Sequence, residues 1–281
     1  MTYKHPEVLV ETDWVKENLG KPGIHLVEVD VDTKAYDAGH IQGAVGFNWQ
    51  SQLQDQLRRD LISKDQFEKL LGDAGISPSD TVILYGDNNN WFAAYAFWLF
   101  KLYGHKDVRL MNGGRQKWLN EEDKELTTEK TVVKPAVYKV AKVDNALRAL
   151  LPDAQKASKS DGKINLVDVR SMDEYTGKII APPGMSETAQ RAGHIPHAKN
   201  IPWSTAVRQD GAFKPIAELE DIYLAQKGVD PKRPVITYCR IGERSSHTWF
   251  VLKYLIGIDD VRNYDGSWTE YGNLIGVEIE K

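Results

Sequence analysis

Pro234-Val-Ile-Thr-Tyr-Cys-Arg-Ile-Gly-Glu-Arg-Ser-Ser246 begins as an apolar, β-rich run and ends in polar residues that lead into a helical pattern from Thr248 to Leu255. A short strand, a tight loop and a helix form the building unit of an α/β domain with a mainly parallel sheet. At the junction stands Cys239, the only cysteine in 281 residues. A lone cysteine is most often a small buried hydrophobe. An inert one has no need of Arg240 and Arg244 beside it, and a sulfur at a helix N-terminus meets amide N–H groups that favour thiolate over thiol. The spacing therefore marks Cys239 as a candidate nucleophile.

The same strand and its neighbours occur twice along the chain. Leu26-Val-Glu-Val-Asp30 returns as Leu166-Val-Asp-Val-Arg170, and Ala38-Gly-His-Ile-Gln-Gly-Ala44 as Ala192-Gly-His-Ile-Pro-His-Ala198. Val82-Ile-Leu-Tyr-Gly86 matches Val235-Ile-Thr-Tyr-Cys239, and Asp107-Val-Arg109 matches Asp260-Val-Arg262. The offsets are 140, 154, 153 and 153, so one order of elements is duplicated, with an insertion between Arg170 and His194. Residues 178–191 of that insertion have no apolar period and read as a loop.

In the first half, Val27–Val29, Gly43–Phe47, Val82–Tyr85 and Val108–Leu110 are expected strands, with helices over Phe67–Ala74 and Trp91–Tyr103. The second half gives strands Leu166–Val169, Lys199–Ile201, Val235–Tyr238 and Val261–Tyr264, with helices near Leu219–Lys227 and Ser246–Ile256. Two similar α/β domains are expected, 1–125 and 140–281, joined by a charged, proline-containing linker at 126–139. Gly86 occupies the place of Cys239 and is followed by Asp87-Asn-Asn-Asn90. One half carries the charged loop and the other does not, which points to one active site.

Composition narrows the class. A hydrophobic content of 41% suffices for ordinary cores. A net charge of −4 and a pI near 6.0, without a Lys/Arg block, argue against a nucleic-acid partner. The longest apolar run, Trp91 to Phe100, is far short of the roughly 20 residues that span a bilayer, so no membrane partner is expected. One cysteine excludes an intrachain disulfide, and no secretory pattern opens the chain, so cytoplasm is the default expectation.

At these residues the chain resembles the tandem-domain rhodaneses, sulfurtransferases of the thiosulfate/3-mercaptopyruvate family, along nearly its whole length. Val261-Arg-Asn-Tyr-Asp-Gly-Ser-Trp-Thr-Glu-Tyr271 is similar to the family's C-terminal signature. Tyr36-Asp-Ala-Gly-His-Ile-Gln-Gly-Ala44 resembles the N-terminal one, with Gln42 where proline is usual. The second copy keeps that proline as Pro196 but has His197 in place of glycine. The resemblance implies an inactive first domain, a catalytic second one and a persulfide carried on Cys239. No cofactor is implied. Cys239-Arg240-x-Gly242 looks like the thiosulfate branch, whereas mercaptopyruvate enzymes resemble Cys-Gly-Ser/Thr-Gly. The loop then departs from the animal enzymes at Glu243 and Arg244. Glu174 falls where those enzymes place a substrate-binding arginine, so Arg244 or Arg191 is expected to supply that charge.

For a thiosulfate donor, Cys239 would attack the outer sulfur while sulfite leaves, and cyanide or a thiol would accept the sulfur. Amides from Ile241 to Ser245 would form an anion nest, with Gly242 permitting the curve. Arg240 and Arg244 would hold the sulfonate. Glu243 is expected outward or paired, because an inward carboxylate would raise the thiol pKa. Asp168 and Arg170, at a strand end, either line the cleft or pair structurally, with pairing the commoner outcome. His247 is either a base for Cys239 or an exposed helix residue. His40 and His194 stand at equivalent places in both halves, which favours a structural role. His194-x-x-His197 lacks a third metal ligand, so no metal is expected. Trp91, Phe92, Phe97 and Trp98 either close the cleft over the persulfide or are core, with core the commoner outcome, and Trp268 reads as core. Three alternatives remain: a 3-mercaptopyruvate sulfurtransferase, a non-catalytic persulfide carrier or binding module, and a cysteine-dependent phosphatase. The phosphatase loop is Cys-x5-Arg, one residue longer than Cys239 to Arg244.

Overall fold

A computed structural model describes residues 2–184 and 188–281, and those residues form two compact units. The first comprises Glu7–Asp144 with Arg208–Phe213; the second comprises the residues up to Pro6, Asn145–Val207 and Lys214–Lys281. In the first unit β1 (Leu9–Val10), β2 (Ile24–Asp30), β3 (Val45–Asn48), β4 (Thr81–Tyr85) and β5 (Val108–Met111) pair in parallel in the order β1-β5-β4-β2-β3. In the second, β6 (Arg148–Ala149), β7 (Asn165–Asp168), β8 (Lys199–Asn200), β9 (Val235–Tyr238) and β10 (Val261–Tyr264) repeat it as β6-β10-β9-β7-β8. The edge strands β1 and β6 are two residues long, too short for a pattern of their own to announce them.

Central strands of such a sheet are covered on both faces, which explains their continuous apolar runs. All four residues of β9 are buried, and its register against β7 sets Leu166 opposite Ile236 and Asp168 opposite Tyr238. Phe97 and Trp98 are fully enclosed and Phe92 is 6% exposed, so these aromatics belong to the first unit's interior. Trp268 is likewise core, in a cluster with Ile236, Tyr238, Tyr264 and Tyr271. The helix Lys64–Asp73 starts where Ser63 and Gln66 cap each other's backbone N–H groups, a box that satisfies donors the first turn leaves open.

The expected division of the chain shifts at both ends. Residues 126–139 are not a free linker but pack on the first unit. Thr127 exchanges backbone hydrogen bonds with His40, and the Ala136 N–H donates to the Gly72 carbonyl at 2.9 Å. A Cβ on Gly72 would lie 2.8 Å from that Ala136 oxygen, so the close passage depends on glycine. Tyr138 is 4% exposed and meets the edge of Phe67. At the other end Lys4 and His5 donate to Leu255 and Tyr254 in the second unit. Of the insertion 178–191, residues 185–187 lie outside the described residues; the remainder carries no helix or strand.

Candidate active site

Strand β9 is the middle strand of its sheet, and after β8 the chain returns to lay β9 on the far side of β7. Loops leaving the carboxyl ends of strands at such a reversal are the ordinary place for a site in an open α/β sheet. Cys239 leaves β9 there and is fully buried. Gly242 follows with φ +105°, a left-handed turn that starts the helix Glu243–Phe250, which continues as a wider π-type turn over Val251–Ile256. A Cβ on Gly242 would come within 3.0 Å of the Asp265 Cα, so this curve admits glycine for reasons of both space and dihedral angle.

The turn brings the Gly242 N–H to 3.1 Å from the Cys239 Sγ. The Ser245 amide also acts on the sulfur, and Arg244 lends its charge. Of the expected nest, the amides of Gly242 and Ser245 address Sγ. Opposing them, the Cys239 thiol donates to the Glu243 Oε2 at 3.4 Å. Glu243 is therefore inward and 1% exposed, and of the two placements expected for it, outward or paired, it takes the paired one. Its other oxygen lies 3.9 Å from Arg240 and 3.7 Å from Arg244. Burial and then the Glu243 carboxylate push the thiol pKa up, against Arg244 and the amides of Gly242 and Ser245. The resting sulfur is held as a thiol, contrary to the thiolate that the loop sequence alone suggests.

Arg244 does not stand ready for a substrate. Its two terminal nitrogens donate to the Glu174 carboxylate at 2.9 and 3.0 Å, with both side chains nearly inaccessible. Glu174 comes from the helix Met172–Tyr175 and also receives the Ser171 N–H and hydroxyl. Burial opposes its ionisation, yet the bonds and charge of Arg244 outweigh that and hold it below the usual carboxylate range. Glu174 is thus the partner of the loop arginine and not the gap left by a missing one.

The remaining sequence candidates separate clearly. Arg191 gives its guanidinium to the carbonyls of Gly272, Leu274 and Val277, so it fastens the C-terminal segment instead of supplying a substrate charge. Asp168 and Arg170 pair with each other in the interior, with Arg170 Nε at 3.0 Å and its Nη2 at 2.6 Å from the carboxylate. Arg170 also donates to Gly193 and lies over the Trp268 ring, so the structural reading holds. His247 is 1% exposed, edge-on to Trp203, and burial pushes its pKa down to about 3. A ring so enclosed is neither the exposed helix residue nor an effective base. Arg240 and Ile241 are buried at 8% and 5% exposure, and Ser245 is enclosed. His40 and His194 stack on Tyr36 and Tyr175 and approach those tyrosines' carbonyls through Nδ1, the same bracing in both units. Among the described residues, no cluster of His, Cys, Asp and Glu is arranged to hold a metal.

Three residues of the Val261–Tyr271 signature support the loop, a role for which none of them was singled out by sequence. Asn263, fully buried in β10, accepts from the Ser245 hydroxyl at 2.6 Å and donates to Ser246 and to the Gly242 carbonyl. Ser267 takes the Cys239 N–H at 3.1 Å, and the Trp268 N–H returns to the Cys239 carbonyl. Asp265 is anchored by a bidentate contact from Arg148. The available signal was the signature itself, with Asn263 a polar residue in the short strand Val-Arg-Asn-Tyr.

The first unit shows the same turn without the chemistry. A Cβ at Gly86 would lie 2.3 Å from the Val29 carbonyl, leaving no room for a side chain. Asn88, Asn89 and Asn90 take left-handed backbone, which asparagine tolerates better than most residues. Asn90 bridges the Gly86 N–H and the Met111 carbonyl, filling the curve from within. Asp30 accepts the Asp87 N–H, and burial holds it well above the usual carboxylate range.

A family model for the rhodanese-like domain matches the chain twice, over residues 11–121 and 151–274. A putative thiosulfate sulfurtransferase of Saccharopolyspora erythraea is 54% identical over 275 residues, 98% of this chain and 96% of its own length. The sulfur carrier protein TtuD of Thermus thermophilus is 54% identical over 284 residues, 100% of this chain and 99% of its own. A solved 3-mercaptopyruvate sulfotransferase, SseA of Escherichia coli, superposes with a TM-score of 0.78 at 26% identity over 93% of this chain and 98% of that one.

Proposed function

The chain belongs to the rhodanese family, with two copies of the domain in tandem, and from that premise we propose that it moves the sulfane sulfur of thiosulfate to cyanide or a thiol acceptor through a persulfide on Cys239. The observation that carries this reading is the 3.1 Å approach of the Gly242 amide to Sγ at the start of a helix. An additional sulfur on Sγ would extend into a setting of converging N–H dipoles, with Arg244 behind them. In this reading Cys239 attacks the outer sulfur, the S–S bond to the sulfonate breaks, and sulfite departs with the electron pair. Arg240, the more exposed of the two loop arginines at 8% against 3%, meets the sulfonate. Arg244, tied to Glu174, fixes the loop and contributes field.

Release of thiocyanate from thiosulfate and cyanide tests the reading. Cys239→Ser is expected to abolish it, and wild-type turnover in that variant would refute the role of the sulfur. A second reading has support in the similarity to a named sulfur carrier: the same persulfide handed to a partner protein's thiol, with cyanide only a surrogate. Intact-mass measurement after thiosulfate, and separately after mercaptopyruvate, shows which donor adds one sulfur. Retention of that mass with no turnover to cyanide favours the carrier.

A further inference from the structure

We propose that Glu243 is a catalytic residue of this site, taking the Cys239 proton as the sulfur attacks and passing it to the departing sulfite. The proposal rests on the thiosulfate reading above and assigns the proton that reading leaves unplaced. Glu243 Oε2 sits 3.4 Å from Sγ, within range of an S–H donor, and both groups are enclosed. The other candidate base on the helix, His247, is edge-on to Trp203, and burial pushes its pKa down to about 3. The second carboxylate near the loop, Glu174, is saturated by Arg244 and Ser171. Glu243 is also placed to hold a negative charge, because Oε1 faces Arg240 at 3.9 Å and Arg244 at 3.7 Å while Oε2 is turned to the thiol. Burial and the Glu243 carboxylate push the thiol pKa up, and Glu243 Oε2 lies within hydrogen-bond range to take the proton as Sγ attacks.

The step balances. The Sγ–H bond breaks towards Oε2 as Sγ bonds to the sulfane sulfur, the sulfur–sulfur bond of thiosulfate breaks, and its electron pair leaves on sulfite. Glu243 then gives the proton to sulfite, so that thiol plus thiosulfate dianion become persulfide anion plus bisulfite, with no outside oxidant or reductant. The persulfide anion takes up the amides of Gly242 and Ser245, and the carboxylate is regenerated for the next cycle.

Glu243→Gln separates this role from simple electrostatics because the two move the rate in opposite directions. Removing the carboxylate removes one of the influences that push the thiol pKa up, so alkylation of Cys239 by iodoacetamide at neutral pH becomes about tenfold faster. If Glu243 carries the proton, single-turnover release of sulfite from thiosulfate nevertheless slows by about 100-fold or more. Sulfite release that is unchanged, or that rises with alkylation, overturns the proposal. Should the variant not fold, the wild type supplies the test: sulfite release slower in deuterium oxide supports the relay, and equal rates overturn it. A wild type that gains no sulfur from thiosulfate sinks the functional reading and the relay to sulfite together. The alkylation comparison still reports the Cys239–Glu243 contact by itself, so the two failures are told apart.

Discussion

Replacing Arg244 with methionine asks whether the loop arginine is a substrate clamp or a buried strut. In the structure its guanidinium makes a two-point contact of 2.9 and 3.0 Å with Glu174, and the side chains are 3% and 0% exposed. Arg244→Met leaves the Glu174 carboxylate enclosed without its countercharge, and breaking a buried pair in this way destabilises by about 3–5 kcal/mol. Glu174→Gln added to Arg244→Met removes the stranded charge while keeping an acceptor for the Ser171 N–H, so most of the loss is expected to return. Urea unfolding followed by tryptophan fluorescence measures all three proteins. The pH dependence gives a second check. Glu174 is held below its ordinary value, so its contribution is present above about pH 4.5 and is lost as pH falls through the depressed folded value. In Arg244→Met burial is opposed by Ser171 and Arg170 without the bonds and charge of Arg244, so the depression of the Glu174 pKa is reduced and the stability gap between wild type and variant narrows as pH falls from 7 towards 4. A loss below about 1 kcal/mol at pH 7, with only the dependence on thiosulfate concentration altered, would refute the strut and restore Arg244 as a substrate group.

Two further outcomes follow from the packing. Gly86→Ala places a methyl group 2.3 Å from the Val29 carbonyl, so it is expected to lower stability by about 1–3 kcal/mol, read as a lower thermal midpoint; an unchanged midpoint would show that the silent turn has room for a side chain. His247 is neutral in the folded interior, with a pKa pushed down to about 3, while the unfolded chain takes up a proton below about 6.5, so stability falls with acid. His247→Phe therefore gains about 2 kcal/mol on the wild type in going from pH 7 to pH 5, and equal pH dependence in the two proteins would place the ring in contact with water.

Much of the architecture is legible in local patterns. Apolar runs of strand length alternate with helical periods, and their repetition at nearly constant offset gives two like domains before any contact is known. Gly86 against Cys239 points to the half proposed as active from the same comparison. The two-residue edge strands β1 and β6 and the docking of 126–139 are different, because each depends on a neighbour that supplies hydrogen bonds from far along the chain.

The sequence by itself determined the α/β repeat, the candidate nucleophile and the glycine turn, since periodicity, residue type and backbone freedom are local properties. Only the tertiary structure decided how the charges around that nucleophile are used. A pattern of arginines and carboxylates states which charges exist, while burial and distance decide which of them cancel. Folding sends Arg191 to the C-terminal carbonyls, locks Arg244 to Glu174, and turns Glu243 onto the Cys239 thiol. A loop that reads as a cationic pocket for a thiolate is thereby a nearly neutral enclosure for a thiol, with a proton acceptor one hydrogen bond away.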